Sequence, residues 1–268
     1  MDLLAKLAAG AAIDEPVAMV VAHQDDEVLG LGSRMDRLRR LRVIHLTDGA
    51  PRDMRDARRE GFSTWQDYAA ARRAELLRAL RAIGAGGAEA IAYDAPDQEA
   101  IRHVGEIVGR LARDLDGMRA VVTHPYEYGH PDHDTAALAV WLACARLSGA
   151  GAAAPERFEF ASYHIRDGRA VLAEFWPDPG SPEIVLHLSE GELARKRAAR
   201  DCFDTQKALG GRFPLTPERV RRAPDYDFAA PAPPGEAVYD RWDLEMTSAE
   251  WRRLANEALR AEEAEGWA

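Results

Sequence analysis

Cysteine is nearly absent from this chain. Two thiols in 268 residues, Cys144 and Cys202, are too few for a disulfide framework or a thiolate zinc site, and both fall in helix-like sequence where buried free thiols are the ordinary reading. Clusters of Lys and Arg are also missing. With a formal charge of −10, nucleic acid and anionic membrane surfaces are poor partners, because both need cations to neutralise phosphates. No apolar run is long enough to span a bilayer. The apolar stretch Met1–Ala12 carries Asp2 and a single Lys6 and lacks a basic lead, so it reads as an N-terminal helix rather than a signal peptide or anchor. The expected location is the cytoplasm, and no repeat, low-complexity tract or linker divides the chain.

What is present is ordinary globular material: 47% hydrophobic and 30% charged residues in a length that can bury a substantial core. Val17–Ala22, bounded by Pro16, reads as a strand buried on both faces. After it the pattern predicts a helix over about Glu27–Arg40, a strand over Arg42–Thr47, a polar loop from Ala50 to Ser63 with a helical turn, and a helix over Trp65–Ile83 stopped by Gly84. A strand over Glu89–Tyr93, a helix over Gln98–Leu115, a strand over Arg119–Thr123 and a helix over Asp134–Leu147 follow. This alternation predicts an α/β, Rossmann-like fold, a mostly parallel sheet with helices on both faces.

Beyond Pro155 the rhythm changes. Short strands are expected at Phe158–Tyr163, Val171–Trp176 and Ile184–Leu188, then a helix capped at Ser189 and running to about Lys207. Gly210–Pro234 reads as irregular chain with one helical turn at Pro217–Arg222, and a last helix opens at Thr247-Ser248. We expect one domain over residues 1–268, with a core at 1–150 holding the site and an α+β or irregular extension at 151–268 shaping its pocket.

Two polar turns carry the chemistry. His23-Gln24-Asp25-Asp26-Glu27 follows the first strand, and His130-Pro131-Asp132-His133 follows a later one. Both should lie at the carboxyl edge of the sheet, where open α/β proteins bind ligands. Three carboxylates packed without a positive neighbour repel one another and resist desolvation, and a divalent cation reverses both effects. Two histidines and a carboxylate holding a metal with a vacant position form the usual catalytic zinc arrangement. If His23, Asp26 and His133 bind the ion, Asp25 remains as a base and His130 as an imidazole facing the same cavity, which together suit a hydrolase.

At these residues the chain resembles the PIG-L/LmbE-like zinc-dependent de-N-acetylases, whose members carry AHPDDE and HPDH turns. Here Ala22–Glu27 reads AHQDDE, and Tyr128-Gly129 precedes HPDH. Thr47-Asp48-Gly49, Arg72-x-x-Glu75 and the Lys196–Gln206 stretch are further landmarks. The resemblance implies zinc on His23, Asp26 and His133, with Fe2+ or another divalent ion as an alternative occupant. It further implies Asp25 as general base, His130 as a protonated imidazole facing the oxyanion, and Asp132 orienting His130. Tyr128 would be a mobile second donor and Arg72 a substrate contact. The implied substrate is a small N-acylated amino-sugar conjugate such as an N-acetylglucosaminide, cleaved at a linear amide, and a homo-oligomer is compatible with this. Gln24 departs from the usual Pro, which leaves every ligand in place but changes the rigidity of the turn.

Plainer readings stand beside these. Glu27 braces a helix start; His45 and His187 sit in strand patterns, and His103 lies on an exposed helix face. His124 and His164 end or leave strands and so approach the pocket. Arg72 pairs with Glu75 on any helix, Trp176 and Trp242 are packing residues or sugar platforms, and Arg52–Glu60 is a solvated loop. Two other functions compete: a non-haem iron enzyme using the same two-His-one-carboxylate set, and a non-catalytic metal- or ligand-binding protein of receiver type, which leaves the second turn idle.

Overall fold

The chain is described by a computed structural model covering residues 2–233, 235–242 and 244–266; Met1, Pro234 and Ala268, which bound stretches discussed above, lie outside them. A short helix α1 (Leu3–Ala8) leads into β1 (Ile13–Val21), α2 (Asp26–Met35), β2 (Leu38–Pro51), α3 (Arg55–Arg59), α4 (Trp65–Ile83), β3 (Glu89–Asp97), α5 (Val104–Asp114), β4 (Ala120–Thr123) and α6 (Pro131–Gly149). The second half adds β5 (Glu156–Phe160), β6 (Tyr163–Arg166), β7 (Arg169–Leu172), β8 (Ile184–Leu186), α7 (Glu190–Arg200), α8 (Lys207–Gly210), β9 (Glu218–Arg222), α9 (Val238–Arg241) and α10 (Ser248–Ala264).

The sheet runs β3-β2-β1-β4-β5-β9-β8, with β6 and β7 forming a separate hairpin. β1 pairs in parallel with β2 on one side and with β4 on the other. Along β1, Val17, Met19 and Val21 enter the core beneath α2 and α4, while Ala18 and Val20 enter the core beneath α5 and α6. Helices on both faces explain why this strand reads as unbroken apolar sequence. From β1 the chain winds outward through β2 to β3 and then crosses back to β4. The carboxyl ends of β1 and β4 therefore flank the switch in strand order, where a crevice opens in such sheets. Both polar turns leave from these two ends.

Most expected elements are present with shifted bounds. The helix expected to reach Arg40 stops at Met35, so that Leu38 begins β2 rather than completing an apolar helical face. β2 and β3 both run past their expected ends, to Pro51 and Asp97. Gly84 takes φ 90° at the end of α4, the left-handed cap expected of it, and Ser189 with Glu192 forms the full capping box. The helical turn expected at Pro217–Arg222 is instead β9, antiparallel to both β5 and β8. Its sequence hides this, because only Val220 is apolar and its buried polar residues are held by ion pairs: Glu218 with Lys196 at 2.7 Å and Arg221 with Glu159 at 2.6 Å. His187 falls just outside β8 and is exposed. Among the described residues no helix is long and apolar enough to cross a membrane.

Candidate active site

The first turn is shaped by its own backbone. The His23 N–H donates to Asp26 Oδ2 at 2.7 Å, and Asp25 occupies the cap position of α2 with φ 155° and ψ −26°, a conformation that costs a non-glycine residue on the order of 1–3 kcal/mol. Glu27 turns inward, accepting the Asp25 N–H at 3.3 Å and meeting His45 Nε2 at 3.1 Å, so it braces the helix start against β2. The Gln24 amide donates to the Thr47 carbonyl at 2.9 Å and stays out of the cavity. Gly49 makes room for this: at φ 69°, a Cβ there would lie 2.3 Å from Gln24 Oε1 and 2.7 Å from Arg72 Nη1.

The second turn is the first turn of a helix. His130 is the N-cap of α6, its Nδ1 accepting the Asp132 N–H at 3.2 Å, and Pro131 takes the first helical position. His133 is thereby aimed at the first turn, with Nε2 3.4 Å from Asp26 Oδ1. Its other nitrogen, Nδ1, is 3.2 Å from Ser162 Oγ. His23 is arranged in the same way. Its Nδ1 is 3.4 Å from Asp26 Oδ2, and its Nε2 meets Asp97 at 3.1 Å and Asp132 at 3.3 Å. Each ring thus turns one nitrogen toward Asp26 while an outer partner holds the other, the arrangement that orients metal-binding histidines.

Among the described residues, three overlapping donor groups have ligand atoms within 4.8 Å of one another: His23, His130 and His133; His23, Asp97, His130 and Asp132; and Asp26, His124 and His133. The residues present fit a divalent cation of zinc or iron type, since imidazole and carboxylate donors converge with no thiolate among them. His124 is drawn in by topology. It follows β4, stacks on His133 at 3.8 Å, and places Nε2 3.3 Å from Asp26 Oδ2.

Burial acts to raise the Asp26 carboxyl, but His133 and His124 outweigh it and hold the group well below its usual range. Burial pushes Asp25 up to about 7 against the pull of the Arg72 guanidinium. His130 is pushed down to about 3 by burial and by the nearby His23. Burial and His23 favour the neutral ring, whereas the resemblance implies a protonated imidazole. Because His130 Nδ1 already accepts a backbone N–H, the proton of the neutral ring sits on Nε2, where it remains available for donation. The Asp132 carboxylate also differs from expectation: it lies 3.9 Å from His130 Nδ1, beyond hydrogen-bond range, and only the Asp132 backbone N–H bonds that ring. It accepts instead the backbone N–H groups of Gln98 at 2.6 Å and Ala100 at 3.0 Å, tying the end of β3 to α6.

A cavity of about 300 Å³ opens above these groups, with His23, Asp25, Asp26, Arg72, Asp97, His130 and His133 at its polar end. Arg72 is buried and donates to the Gly49 carbonyl at 2.8 Å and the Gln24 carbonyl at 3.2 Å. It does not pair with Glu75, which accepts the backbone and side chain of Thr205 at 3.0 and 2.7 Å. Tyr128 lies away from the cavity: its φ of 60° turns the ring into the core against Tyr126 and Tyr239. Tyr163 occupies the wall instead, its ring 5.3 Å from that of His133. Asp56 and Arg59 of α3 also reach the lining, so the segment read as a solvated loop contributes to the pocket. His164 does not; it is buried against Glu127 at 3.1 Å. Asp97, Ser162 and Tyr163 are the residues that sequence reading missed.

Comparison with known proteins agrees with this architecture. A 1D-myo-inositol 2-acetamido-2-deoxy-alpha-D-glucopyranoside deacetylase of Corynebacterium jeikeium (strain K411) is 27% identical over 254 residues, covering 71% of this chain and 76% of that protein. Among solved structures, the A40926 pseudoaglycone deacetylase Dbv21 superposes with a TM-score of 0.56 at 18% identity, covering 78% of this chain and 97% of its own. GalB, the 4-carboxy-2-hydroxymuconate hydratase of Pseudomonas putida KT2440, superposes with a TM-score of 0.55 at 19% identity, covering 79% and 98%. At such identities the two structures establish the fold alone, and their different reactions show that one fold hosts more than one chemistry. Residues 18–144 match the PIG-L family, described as GlcNAc-PI de-N-acetylase. That span runs from β1 into α6 and holds every donor described above, so the similarity to the PIG-L family covers the residues of the site.

Proposed function

We propose that this chain is a metal-dependent amidohydrolase that removes an N-acetyl or other N-acyl group from an amino-sugar conjugate. The observation that carries the reading is the placement of Asp25 in one cavity with His23, Asp26 and His133, two of whose rings turn a nitrogen to the same carboxylate. The name of the Corynebacterium relative, a deacetylase of an acetamido sugar, supports the substrate class. Zinc is the expected ion on His23, Asp26 and His133, with Fe2+ as the alternative. When bound, such an ion supplies Lewis acidity toward an acyl oxygen and acidifies water.

The chain's own residues do the rest. Asp25, with a carboxyl near 7, is matched to accepting a proton from the attacking water at neutral pH and returning it to the amine nitrogen as the C–N bond breaks. His130 donates from Nε2 to the oxyanion without changing its charge. Arg72, at the polar end of the cavity, holds the Asp25 turn through the Gly49 and Gln24 carbonyls, so its part is positioning. Asp97 and Asp132 fix His23. Ser162, Tyr163, Phe213 and Trp242 from the 151–268 extension complete the walls, in line with a pocket-shaping role for that half.

The test is release of free amine from a panel of N-acylated glucosaminides by metal-analysed protein, with and without chelator. Chelator-sensitive amine release is expected. Its absence across acylated amino sugars and simpler amides would overturn the proposal.

A further inference from the structure

We propose that the mouth of the cavity is an aglycone subsite, built on Trp242 and Tyr163, for an aromatic group attached to the amino sugar; this rests on the amino-sugar reading of the site. Trp242 lines the cavity yet is 53% exposed, the most exposed large apolar side chain among the described residues. Such a ring in contact with water is out of keeping with the rest of the chain, which buries Trp251, Tyr126, Tyr128 and Tyr239.

Trp242 is also held in a defined pose. Its ring stacks on Tyr163 at 6.0 Å and 27°, and Tyr163 meets Phe213 at 5.6 Å and His133 at 5.3 Å. The rings thus form a continuous wall from the cation site to the rim. The backbone adds a second constraint. The Trp242 N–H donates to the Val238 carbonyl at 3.2 Å, and the Val238 N–H donates to the Tyr128 carbonyl at 2.9 Å. The rim tryptophan is therefore tied through α9 to the loop that leads into His130.

The wall's chemistry selects the occupant. A second sugar ring needs directional partners for its hydroxyls, which the lining offers in Asp56, Arg59, Gln98 and Gln206, whereas the wall of Trp242, Tyr163 and Phe213 offers ring faces. An aromatic aglycone gains from offset stacking on Trp242 beyond the area it buries. The acylated amino sugar then occupies the polar end, while its aglycone lies along the Tyr163–Trp242 face.

The experiment compares aryl and methyl glycosides of N-acetylglucosamine of one anomeric configuration on the metal-loaded protein. Preference for the aryl glycoside by about tenfold in kcat/KM is expected, mostly through KM. Trp242→Ala should bring the ratio close to one, and Trp242→Phe should retain most of it. A wild-type ratio near one, or a ratio unchanged in Trp242→Ala, overturns the subsite. Calorimetric titration with the amine product, an aryl 2-amino-2-deoxyglucoside, gives a readout independent of turnover. Binding weakened about tenfold by Trp242→Ala supports the subsite even if no glycoside is hydrolysed, a result that would remove the amide-hydrolysis reading alone. Equal binding by the two proteins, or none by either, overturns it.

Discussion

Arg72 Nη2 lies 3.4 Å from Asp25 Oδ1, and Arg72 Nη1 lies 3.8 Å from Asp97 Oδ2. One buried guanidinium therefore touches both the carboxylate assigned to proton transfer and the carboxylate that holds His23. It also spans the carbonyls of Gln24 and Gly49, so the first turn, β2 and α4 meet at a single side chain. Asp25 is thus placed by a cation without being neutralised by a close bidentate pair, which leaves it able to take up a proton.

Asp25→Asn keeps the size and the turn but removes the basic oxygen. Turnover should fall by a factor on the order of 10² or more, as for loss of a general base, while bound metal per chain stays at the wild-type level. Amine-release kinetics and elemental analysis on the same preparation check both halves. Near-normal turnover would remove Asp25 from its assigned role.

The division of labour among the histidines makes a second expectation. His133→Ala and His23→Ala each delete a donor facing Asp26, and metal content should drop below about a tenth of wild type, in keeping with loss of one of three ligands. His130→Ala should retain metal yet lose on the order of 10²-fold in turnover, the usual effect of removing an oxyanion donor. Metal retained by His133→Ala would shift the site toward His23, His130, Asp97 and Asp132.

Several of these relationships were legible in the sequence. His23, Asp26, His130 and His133 sit in two short polar segments that follow strands, and strand order brings those strand ends together. Asp97 was not legible, because the polar sequence after Tyr93 reads as loop and the extension of β3 to Asp97 depends on pairing with β2 out to Pro51. Tyr128 and Tyr163 could not be told apart by position in the chain. A left-handed backbone at Tyr128 turns its ring away from the cavity, and the hairpin of β6 and β7 delivers Tyr163 instead. β9 was hidden for an electrostatic reason: its charges are paired across elements far apart in sequence, and alternation cannot reveal that.

Gly49→Ala addresses the packing behind Asp25. The added methyl carbon would sit 2.3 Å from Gln24 Oε1 and 2.7 Å from Arg72 Nη1, at a backbone φ of 69°. A cost of about 1–3 kcal/mol is expected from the strained backbone and the overpacking together, with activity falling as Arg72 is displaced. Urea unfolding and amine release measure the two effects. A variant of wild-type stability and activity would mean that this corner adapts freely.

The thiols should differ in reactivity. Burial pushes Cys144 up to about 11, so at pH 8 only about one part in 10³ is thiolate, the form that reacts. Cys202 is partly exposed. Limited iodoacetamide treatment at pH 8 followed by peptide mass spectrometry should label Cys202 well before Cys144, and raising the pH toward 11 should narrow the gap as long as the fold persists. Equal labelling at pH 8 would contradict the burial of Cys144.

The last expectation concerns the buried charges that bind the two halves of the chain. Lys196 Nζ, on α7, is fully buried, donates to the Leu29 carbonyl of α2 at 2.7 Å and pairs with Glu218 of β9 at 2.7 Å, while Glu218 also accepts the Ser33 N–H at 2.9 Å. α2 carries Asp26 at its start, so this cluster fixes the helix that presents the site. Glu218→Ala leaves the ammonium without a counter-charge in a dry interior, which typically costs about 3–5 kcal/mol. The double variant Lys196→Met/Glu218→Leu removes both charges and should recover most of that loss, because an apolar pair of similar volume is often as stable as a buried ion pair. Urea unfolding of the three proteins separates the cases. If the double variant is no more stable than Glu218→Ala, the hydrogen bonds to Leu29 and Ser33, rather than the uncompensated charge, dominate this contact.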